Sequence, residues 1–244
     1  RYRGVVTMAQ AVTWSINVPA VWLLDQIGVS KGVSTLQKLG IPLHQNDRYL
    51  SLALGGMTEG IAPLHLAQGY AALANGGFRV EPRAIIEIYD YEQRPLQITS
   101  KKERVLSSAT CQSITKMLMA AVHYGTGQGA RLSVPVAGKT GTTELPPLPK
   151  YRNINGNMDA WFVGYTPELV TAVWMGYDRT DEKHYLTHYG GSYPANLFRQ
   201  FMSGALPLVG KRESAMFANP PRYPAPAIPA GGDDDDDNDD DDDI

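Results

Sequence analysis

The pattern of apolar and polar positions along the chain predicts six helices separated by turn-forming residues. Each predicted helix opens at a capping residue or a proline, as at Thr7, Pro19 and Ser30, and several stop at a glycine. The predicted helices cover residues 7–12, 19–28, 30–40, 63–75, 107–122 and 194–206.

Between these helices, runs of β-branched and aromatic residues predict strands. Residues 84–98 predict a small hairpin, and three further strands are predicted at 134–143, 159–166 and 169–178. Only Pro167 and Glu168 separate the last two strands, which leaves room for nothing longer than a tight hairpin. Helices, hairpins and then helices again predict an α+β domain with an antiparallel sheet packed with helices.

Composition excludes several classes of protein. The 244 residues are 43% hydrophobic and 19% charged, so most of the chain is expected to fold, and the single cysteine, Cys111, permits no internal disulfide. The sequence contains no stretch of about 18 uninterrupted apolar residues and therefore predicts no membrane span. Its basic residues are scattered, so we expect no nucleic-acid partner.

The charge is divided between two regions. Ten of the 25 acidic residues are aspartates in the run 233–243, and without them the net charge changes from −3 to +7. A block of like charges repels itself and stays solvated. We therefore expect a domain over residues 1–206, a proline-rich extended linker over 207–232 and a disordered tail over 233–244.

Two short motifs carry the candidate chemistry. The sequence S-I-N at 15–17 lies in the predicted bend between the first two helices, and K-T-G-T-T at 139–143 lies in a predicted strand. Each motif alone is short enough to occur by chance, with ordinary turn or strand roles. Their order and context add weight, because S-x-N followed by K-T-G is the order found in penicillin-binding proteins and class A β-lactamases.

The surrounding residues extend this match. GVVTMAQAVTWSINVPAV surrounds the first motif, LGGMTEGIAPLHLAQGYAALANGG follows it, and VPVAGKTGTT with DAWFVGYTPELVTAVWMGYD surrounds the second. Over residues 1–206 the chain resembles the transpeptidase domain of class A, bifunctional penicillin-binding proteins. The resemblance implies a penicillin-binding transpeptidase or serine β-lactamase-like fold.

The resemblance also implies catalytic roles for three residues. Ser15 would relay a proton toward the leaving group, and Asn17 would orient the substrate amide. Lys139 would support the electrostatics of the site and attract the substrate carboxylate. For Ser15 and Asn17, helix capping and a turn amide remain the alternative interpretations.

The rest of the strand would bind substrate. Thr140 and Thr142 would offer hydroxyls to the carboxylate, with Thr143 beside them. Gly141 would let the ligand approach the backbone closely. The backbone N–H of Thr142 would form half of the oxyanion hole.

The family's nucleophile motif, S-x-x-K, has one match in the chain, at Ser113 and Lys116. This match lies between the other two motifs, whereas the family places S-x-x-K before S-x-N. We therefore expect the nucleophile to lie before Arg1 and the fold to be incomplete at its N-terminus. The isolated chain is then expected to be inactive.

The resemblance finally implies a setting for the full-length protein. It would cross-link peptidoglycan by serine acyl transfer on D-Ala-D-Ala stem peptides, with β-lactams as mimics, at the extracytoplasmic face of the bacterial membrane. A glycosyltransferase domain and a membrane anchor would lie upstream, and no metal or organic cofactor is implied. The alternatives are a non-catalytic binding or scaffolding unit, favoured by the absent nucleophile, and a β-lactam hydrolase.

Three other features have weaker interpretations. The G-x-G-x-x-A at 125–130 follows a helix rather than a strand, so it does not predict dinucleotide binding. His184 and His188 are four residues apart, but they lack the partners of a metal site. The proline- and asparagine-rich segment 144–158 is expected to overhang the cleft, contact a partner or remain solvated.

Overall fold

Among the residues that the structure describes, six α-helices form where the apolar pattern predicts them. The structure is a computed structural model, and it describes residues 4–218 and 220–227. The helices are α1 (Met8–Trp14), α2 (Asn17–Ile27), α3 (Val29–Lys38), α4 (Pro63–Ala74), α5 (Ser108–His123) and α6 (Tyr193–Ala205). The residues that the structure describes contain no helix that is both long enough and apolar enough to cross a membrane.

The predicted capping residues are confirmed at two helices and wrong at a third. The Thr7 hydroxyl accepts from the Gln10 N–H at the start of α1, and the Ser107 hydroxyl accepts from the Thr110 N–H at the start of α5. Ser30, predicted to cap α3, lies inside that helix. Gly28 precedes the helix instead, with φ 87°, a backbone geometry that glycine adopts without steric cost.

Seven strands in the described part of the chain form two small ribbons and one larger sheet. The strands are β1 (Phe78–Val80), β2 (Ile88–Tyr89), β3 (Pro95–Leu96), β4 (Lys102–Arg104), β5 (Ala137–Glu144), β6 (Asn157–Tyr165) and β7 (Val170–Gly176). The three-stranded sheet has the order β5-β6-β7, with both pairs antiparallel. The three strands and the small β2–β3 hairpin confirm the predictions.

The tight turn between β6 and β7 is held by one hydroxyl. The Thr166 side chain is fully buried and accepts from the backbone N–H groups of Glu168 and Leu169. The two tryptophans of the hairpin lie directly opposite each other, Trp161 on β6 and Trp174 on β7, with ring centroids 6.2 Å apart. The hydroxyl therefore fixes the two-residue connection that the sequence predicts.

The sheet packs its covered face on helices. Phe162 of β6 is fully buried and meets Phe198 of α6 edge to face at 4.8 Å between ring centroids. Trp161 and Val163 alternate with Phe162 along the strand, and both line a cleft on the opposite face. One face of the sheet therefore builds this part of the core, while the other builds one wall of a cavity and, at Tyr165, joins a second buried cluster with α4 and α5.

The chain beyond α6 differs from the predicted linker. Residues 206–208 and 215–217 form short 3-10 turns, and Phe217 is buried against Tyr165, Leu118 and Met119. The prediction of an extended chain over 207–232 is therefore wrong for residues 215–217. Burial of the Phe217 ring among apolar side chains stabilises a 3-10 turn there. The predicted tail, 233–244, lies outside the described residues.

Candidate active site

Ser15 ends helix α1 in an unusual backbone conformation. It is the C-cap residue, with φ 54° and ψ 48°, in the left-handed region that side chains other than glycine rarely adopt. The Ile16 N–H then donates to the Ala11 carbonyl oxygen at 2.9 Å, which closes the turn. The bend predicted at 15–17 therefore exists, and it points an exposed hydroxyl away from the helix.

Asn17 begins the next helix. It is the first residue of α2, two positions before the proline that the sequence places in the first turn. Its side chain is exposed and lines the same cleft as Ser15. Within the described residues the Asn17 amide makes no side-chain hydrogen bond to the rest of the protein.

Lys139 comes to this bend from the middle of the chain. It lies on β5, which pairs with β6 and forms an edge of the sheet. The Lys139 ammonium donates to the Ser15 hydroxyl, with 2.6 Å between Nζ and Oγ, and to its neighbour's carbonyl oxygen on Thr140 at 3.0 Å. Two motifs separated by more than a hundred residues therefore meet through one short hydrogen bond.

Burial changes the acidity of this lysine. The pKa of Lys139 falls from its ordinary 10.5 to about 8, because the charged form loses solvation in the partly buried site. Near neutral pH the ammonium is therefore the main form, and the neutral amine is more populated than for an ordinary lysine. Such a group can hold an anion, and it can also exchange a proton with the Ser15 hydroxyl.

The threonine hydroxyls of β5 are held by two neighbouring loops. The Thr140 hydroxyl lies 2.8 Å from that of Thr126, and the Thr142 hydroxyl accepts from the Gly190 N–H at 3.1 Å. Thr143 lies next along the strand and is exposed. Thr140 and Thr142 are two residues apart and so share one face of the strand, whereas Thr143 lies on the other face.

Gly141 keeps the strand open between those threonines. A Cβ on Gly141 would lie 3.2 Å from the Trp161 Cβ across the β5–β6 pair, tighter than ordinary van der Waals contact. Trp161 also lines the cleft, so the missing side chain leaves the backbone of β5 accessible from that side.

These residues line one cleft of about 630 Å³. Its volume lies within the usual range for small-molecule sites. Among the described residues that line it, Lys139 is the one charged side chain, and most of the others are apolar. The cleft therefore offers a single cation and several hydroxyls in apolar surroundings, an arrangement suited to a ligand with one anionic group.

The wall opposite β5 comes from the glycine-containing segment before α4. Gly55 and Met57 line the cleft there. This segment is ordered by Asp47, a carboxylate 2% exposed, which accepts from the Thr58 hydroxyl at 2.6 Å and from its N–H at 2.7 Å. The Thr58 hydroxyl lowers the pKa of Asp47, so the carboxylate stays ionised and keeps the segment folded.

The other sequence candidates lie outside the cleft. Ser113 is exposed on α5, and neither it nor Lys116 lines the cavity. The His184 imidazole binds Asp181 at 2.9 Å, whereas the His188 ring packs against Tyr193. Within residues 4–218 and 220–227, no cluster of three or more metal-ligating side chains is present.

The segment 144–158 is partly folded. It contains a 3-10 turn at Pro149–Tyr151, and the buried Tyr151 donates its hydroxyl to the Thr180 carbonyl oxygen at 3.1 Å. A second cavity, of about 590 Å³, is surrounded by residues 144–149, 151–152, 154–157 and Tyr189. The segment therefore builds a pocket of its own at the end of β5.

Sequence reasoning missed two supports of the site. Thr126 falls in the stretch 125–130, whose G-x-G-x-x-A pattern was interpreted only with respect to dinucleotide binding, and its hydroxyl lies 2.8 Å from that of Thr140. Gly190 has no motif around it, yet a Cβ there would meet backbone atoms of Gly141 and Trp161 within 2.2–2.9 Å. Only the folded chain brings these residues together, so no local signal identifies them.

The architecture defines the class of fold. PonA1 of Mycobacterium tuberculosis superposes with a TM-score of 0.72 at 21% identity, over 92% of this chain and 62% of that chain. Penicillin-binding protein 1A of Haemophilus influenzae gives 0.70 at 24% identity, over 89% of this chain and 37% of that chain. The α+β fold is therefore the penicillin-binding, serine β-lactamase-like fold that the sequence predicts.

The family follows from sequence comparison. The family model described as the penicillin-binding protein transpeptidase domain matches residues 1–203, and the chain belongs to this family. Penicillin-binding protein 1F of Bacillus subtilis is 42% identical over 207 residues, which cover 84% of this chain and 28% of that protein. Penicillin-binding protein 1A of Neisseria meningitidis is 33% identical over 224 residues, covering 88% and 26% respectively. The chain thus spans about a quarter of the length of these relatives.

Proposed function

We propose that the cleft is the acyl-transfer site of a D-Ala-D-Ala transpeptidase that cross-links peptidoglycan. The observation that carries this proposal is the 2.6 Å contact between Lys139 and Ser15, which joins the two motifs inside one cleft. Membership of the transpeptidase family supports the same reaction class.

The nucleophile of this reaction is a serine supplied by residues outside the 244-residue sequence. The one S-x-x-K in the chain, at Ser113, lies away from the cleft and supports no nucleophilic role. The attacking serine gives its hydroxyl proton to the lysine of its own S-x-x-K motif, its oxygen forms a bond to the carbonyl carbon of the penultimate D-Ala, and the peptide C–N bond then breaks. The isolated chain would accordingly have no acylation activity.

Ser15 and Lys139 handle the proton of the leaving amine. As the C–N bond breaks, the Ser15 hydroxyl gives its proton to the departing D-Ala nitrogen and recovers one from the Lys139 ammonium. Because the pKa of Lys139 is lowered to about 8, its ammonium is a stronger acid, and so a better proton donor, than that of an ordinary lysine. Asn17 orients the substrate amide from the start of α2.

The β5 strand holds the rest of the substrate. The Lys139 ammonium and the hydroxyls of Thr140, Thr142 and Thr143 bind the terminal carboxylate. The Thr142 N–H is one donor of the oxyanion hole, and the nucleophile's own N–H is the other. β-Lactams occupy the same positions, because their carboxylate and amide mimic the D-Ala-D-Ala terminus.

The setting of this reaction is also part of the proposal. A longer protein would carry a glycosyltransferase domain and a membrane anchor upstream and would present this domain at the extracytoplasmic face of the cell membrane. The similarity to class A penicillin-binding proteins supports this arrangement.

Fluorescent penicillin tests the proposal. In the longer protein that carries this chain, we expect covalent labelling, and we expect Lys139→Ala and Asn17→Ala each to abolish most of it while circular dichroism shows an intact fold. Lys31→Ala, at an exposed lysine on α3, is the matched control and should label normally. Near-normal labelling of both cleft variants would remove the site assignment.

The same reagent separates the alternatives. Covalent labelling of the 244-residue chain alone would contradict the proposal that its nucleophile lies elsewhere. Failure of the longer protein to label would favour a non-catalytic binding or scaffolding unit. An acyl-enzyme that hydrolyses within seconds would favour a β-lactam hydrolase, because a transpeptidase keeps its penicilloyl group far longer.

A further inference from the structure

The chain after α6 returns to the helix that carries Ser15. Residues 209–218 and 220–227, here called the C-terminal strap, start beyond the last helix and end beside α1. Three contacts anchor the strap along this path, and two hydrogen bonds join its far end to α1.

The central anchor of the strap is an aromatic side chain. Phe217 is 5% exposed and meets the Tyr165 ring edge to face, with 5.8 Å between the centroids and 90° between the planes. Tyr165 pairs with Ala137 at the start of β5, two residues before Lys139. The strap is therefore packed on β6, the strand that pairs with the strand carrying the lysine.

Two polar contacts hold the strap on either side of Phe217. The Arg212 N–H donates to the Glu168 carboxylate at 3.0 Å, in the turn between β6 and β7. The Arg222 guanidinium lies 5.8 Å from the centroid of the Tyr124 ring, just after α5. The strap thus crosses from one end of the sheet to the end of α5 before it meets α1.

At its far end the strap holds α1 through two side chains. The Trp14 indole N–H donates to the Tyr223 carbonyl oxygen at 3.0 Å, and the Gln10 amide donates to the Pro224 carbonyl oxygen at 3.1 Å. Trp14 and Gln10 are four residues apart and so lie on one face of the helix. Both hydrogen bonds are therefore available only while strap and helix keep their register.

Helix α1 depends on such external contacts. It has seven residues, far fewer than an isolated helix needs for stability in water. On its other side the Thr13 carbonyl oxygen accepts from the Thr126 N–H at 3.4 Å, a long hydrogen bond. The hydrogen bond from Trp14 to the strap is shorter and restrains the last turn, because Trp14 is the residue immediately before Ser15, while the hydrogen bond from Gln10 holds the first turn.

We infer that Trp14 is a positioning residue: through the Tyr223 carbonyl oxygen, the C-terminal strap holds the last turn of α1 so that the Ser15 hydroxyl stays against Lys139. This inference rests on the proposed function for its consequence in acylation. The juxtaposition itself belongs to the 244-residue chain and can be tested without any acylation.

Trp14→Phe is the test, because it removes the indole donor and keeps an aromatic ring. In the 244-residue chain we expect faster hydrogen exchange of the α1 amides and a changed NMR titration of the Lys139 side chain. Trp22→Phe, at an exposed tryptophan on α2, and Tyr223→Phe, which keeps the backbone carbonyl, are controls and should leave both readouts unchanged.

In the longer protein we expect Trp14→Phe to slow penicillin acylation about threefold to tenfold, the equivalent of one ordinary hydrogen bond, and to alter its pH profile. The melting temperature should fall little. An unchanged Lys139 titration and unchanged α1 exchange would overturn the inference. If the wild-type longer protein fails to acylate, the proposed function fails, while the exchange and titration of the 244-residue chain still decide the role of Trp14.

Discussion

Ser15 concentrates the strain of the site in one residue. Its left-handed backbone costs a side chain other than glycine about 1–2 kcal/mol, yet glycine there would remove the hydroxyl that contacts Lys139. Residues held in such conformations cluster at functional sites, where surrounding contacts maintain them. The capping box at Thr7 and the strap at Trp14 are those contacts for α1.

Lys139 should make stability depend on pH in a defined direction. Its folded pKa of about 8 lies below the ordinary 10.5, so between these values the unfolded chain binds more protons than the folded one. Stability from this group therefore rises with pH across that window. Below the window the penalty for burying the charge is fully present, and above it the penalty is absent.

The prediction concerns Lys139→Met, which removes the titrating group. We expect the unfolding free energy of the wild type, relative to the variant, to increase from about pH 8 to about pH 10.5. Urea unfolding of both proteins across this range measures the difference and cancels the other titrations. A difference that stays flat, or that falls with pH, would contradict the burial of this ammonium.

At the scale of elements, the site depends on a loop that packs closely against a strand. The loop between β7 and α6 reaches β5 at Gly190, whose N–H donates to the Thr142 hydroxyl. A Cβ on Gly190 would lie 2.2 Å from the Trp161 carbonyl oxygen and 2.4 Å from the Gly141 carbonyl oxygen. Backbone atoms in a paired sheet move little, so a side chain there must displace the loop.

Gly190→Ala should therefore disturb both stability and the site. We expect a loss of about 1–3 kcal/mol, typical of overpacking, together with weaker penicillin binding in the longer protein as Thr142 loses its partner. Chemical denaturation and the labelling rate measure the two effects. Gly204→Ala on α6 is the matched control, since no atom lies within 4 Å of its Cβ, and it should be neutral or stabilising. Equal behaviour of the two variants would disprove the packing argument.

The elements that sequence predicted well are those with local signals. The turn at Pro167–Glu168 and the alternation around Phe162 identify the central hairpin without any distant contact. The β1–β4 ribbon was missed because its two strands have three residues each and pair across more than twenty intervening residues. Such short strands carry no periodicity, so only the fold defines them.

The candidate site was predicted only in part, because its motifs are local in sequence and its supporting contacts are not. The motifs at 15–17 and 139–143 were visible as sequence, and the family resemblance implied that they share a cleft. The roles of Thr126, Gly190 and Trp14 could not be inferred, because each acts through a contact to a backbone or hydroxyl distant in sequence. Phe217 gave a misleading signal, since the prolines around it predict an extended chain whether or not one aromatic side chain is buried.

At the scale of the whole molecule, the aspartate run is remote in sequence from the residues that line the cleft. The ten aspartates of 233–243 convert a net charge of +7 into −3. Every described residue that lines the cleft lies between Met8 and Val163, so none comes from the C-terminal part of the chain. The chemistry of the cleft is therefore expected to be independent of the aspartate run, apart from a long-range field that salt screens beyond about 8–10 Å.

Removal of residues 233–244 should accordingly leave penicillin acylation of the longer protein unchanged, while it shifts the protein's elution from an ion-exchange column toward that of a more basic protein. The matched control replaces the run with a neutral glycine–serine segment of equal length, which separates charge from chain length. If both variants lose most of their acylation rate, the aspartates act on the cleft directly. If a higher salt concentration instead restores the wild-type rate in both variants, the loss would come from attraction between the basic domain and other anions. The aspartate run would then normally suppress that attraction.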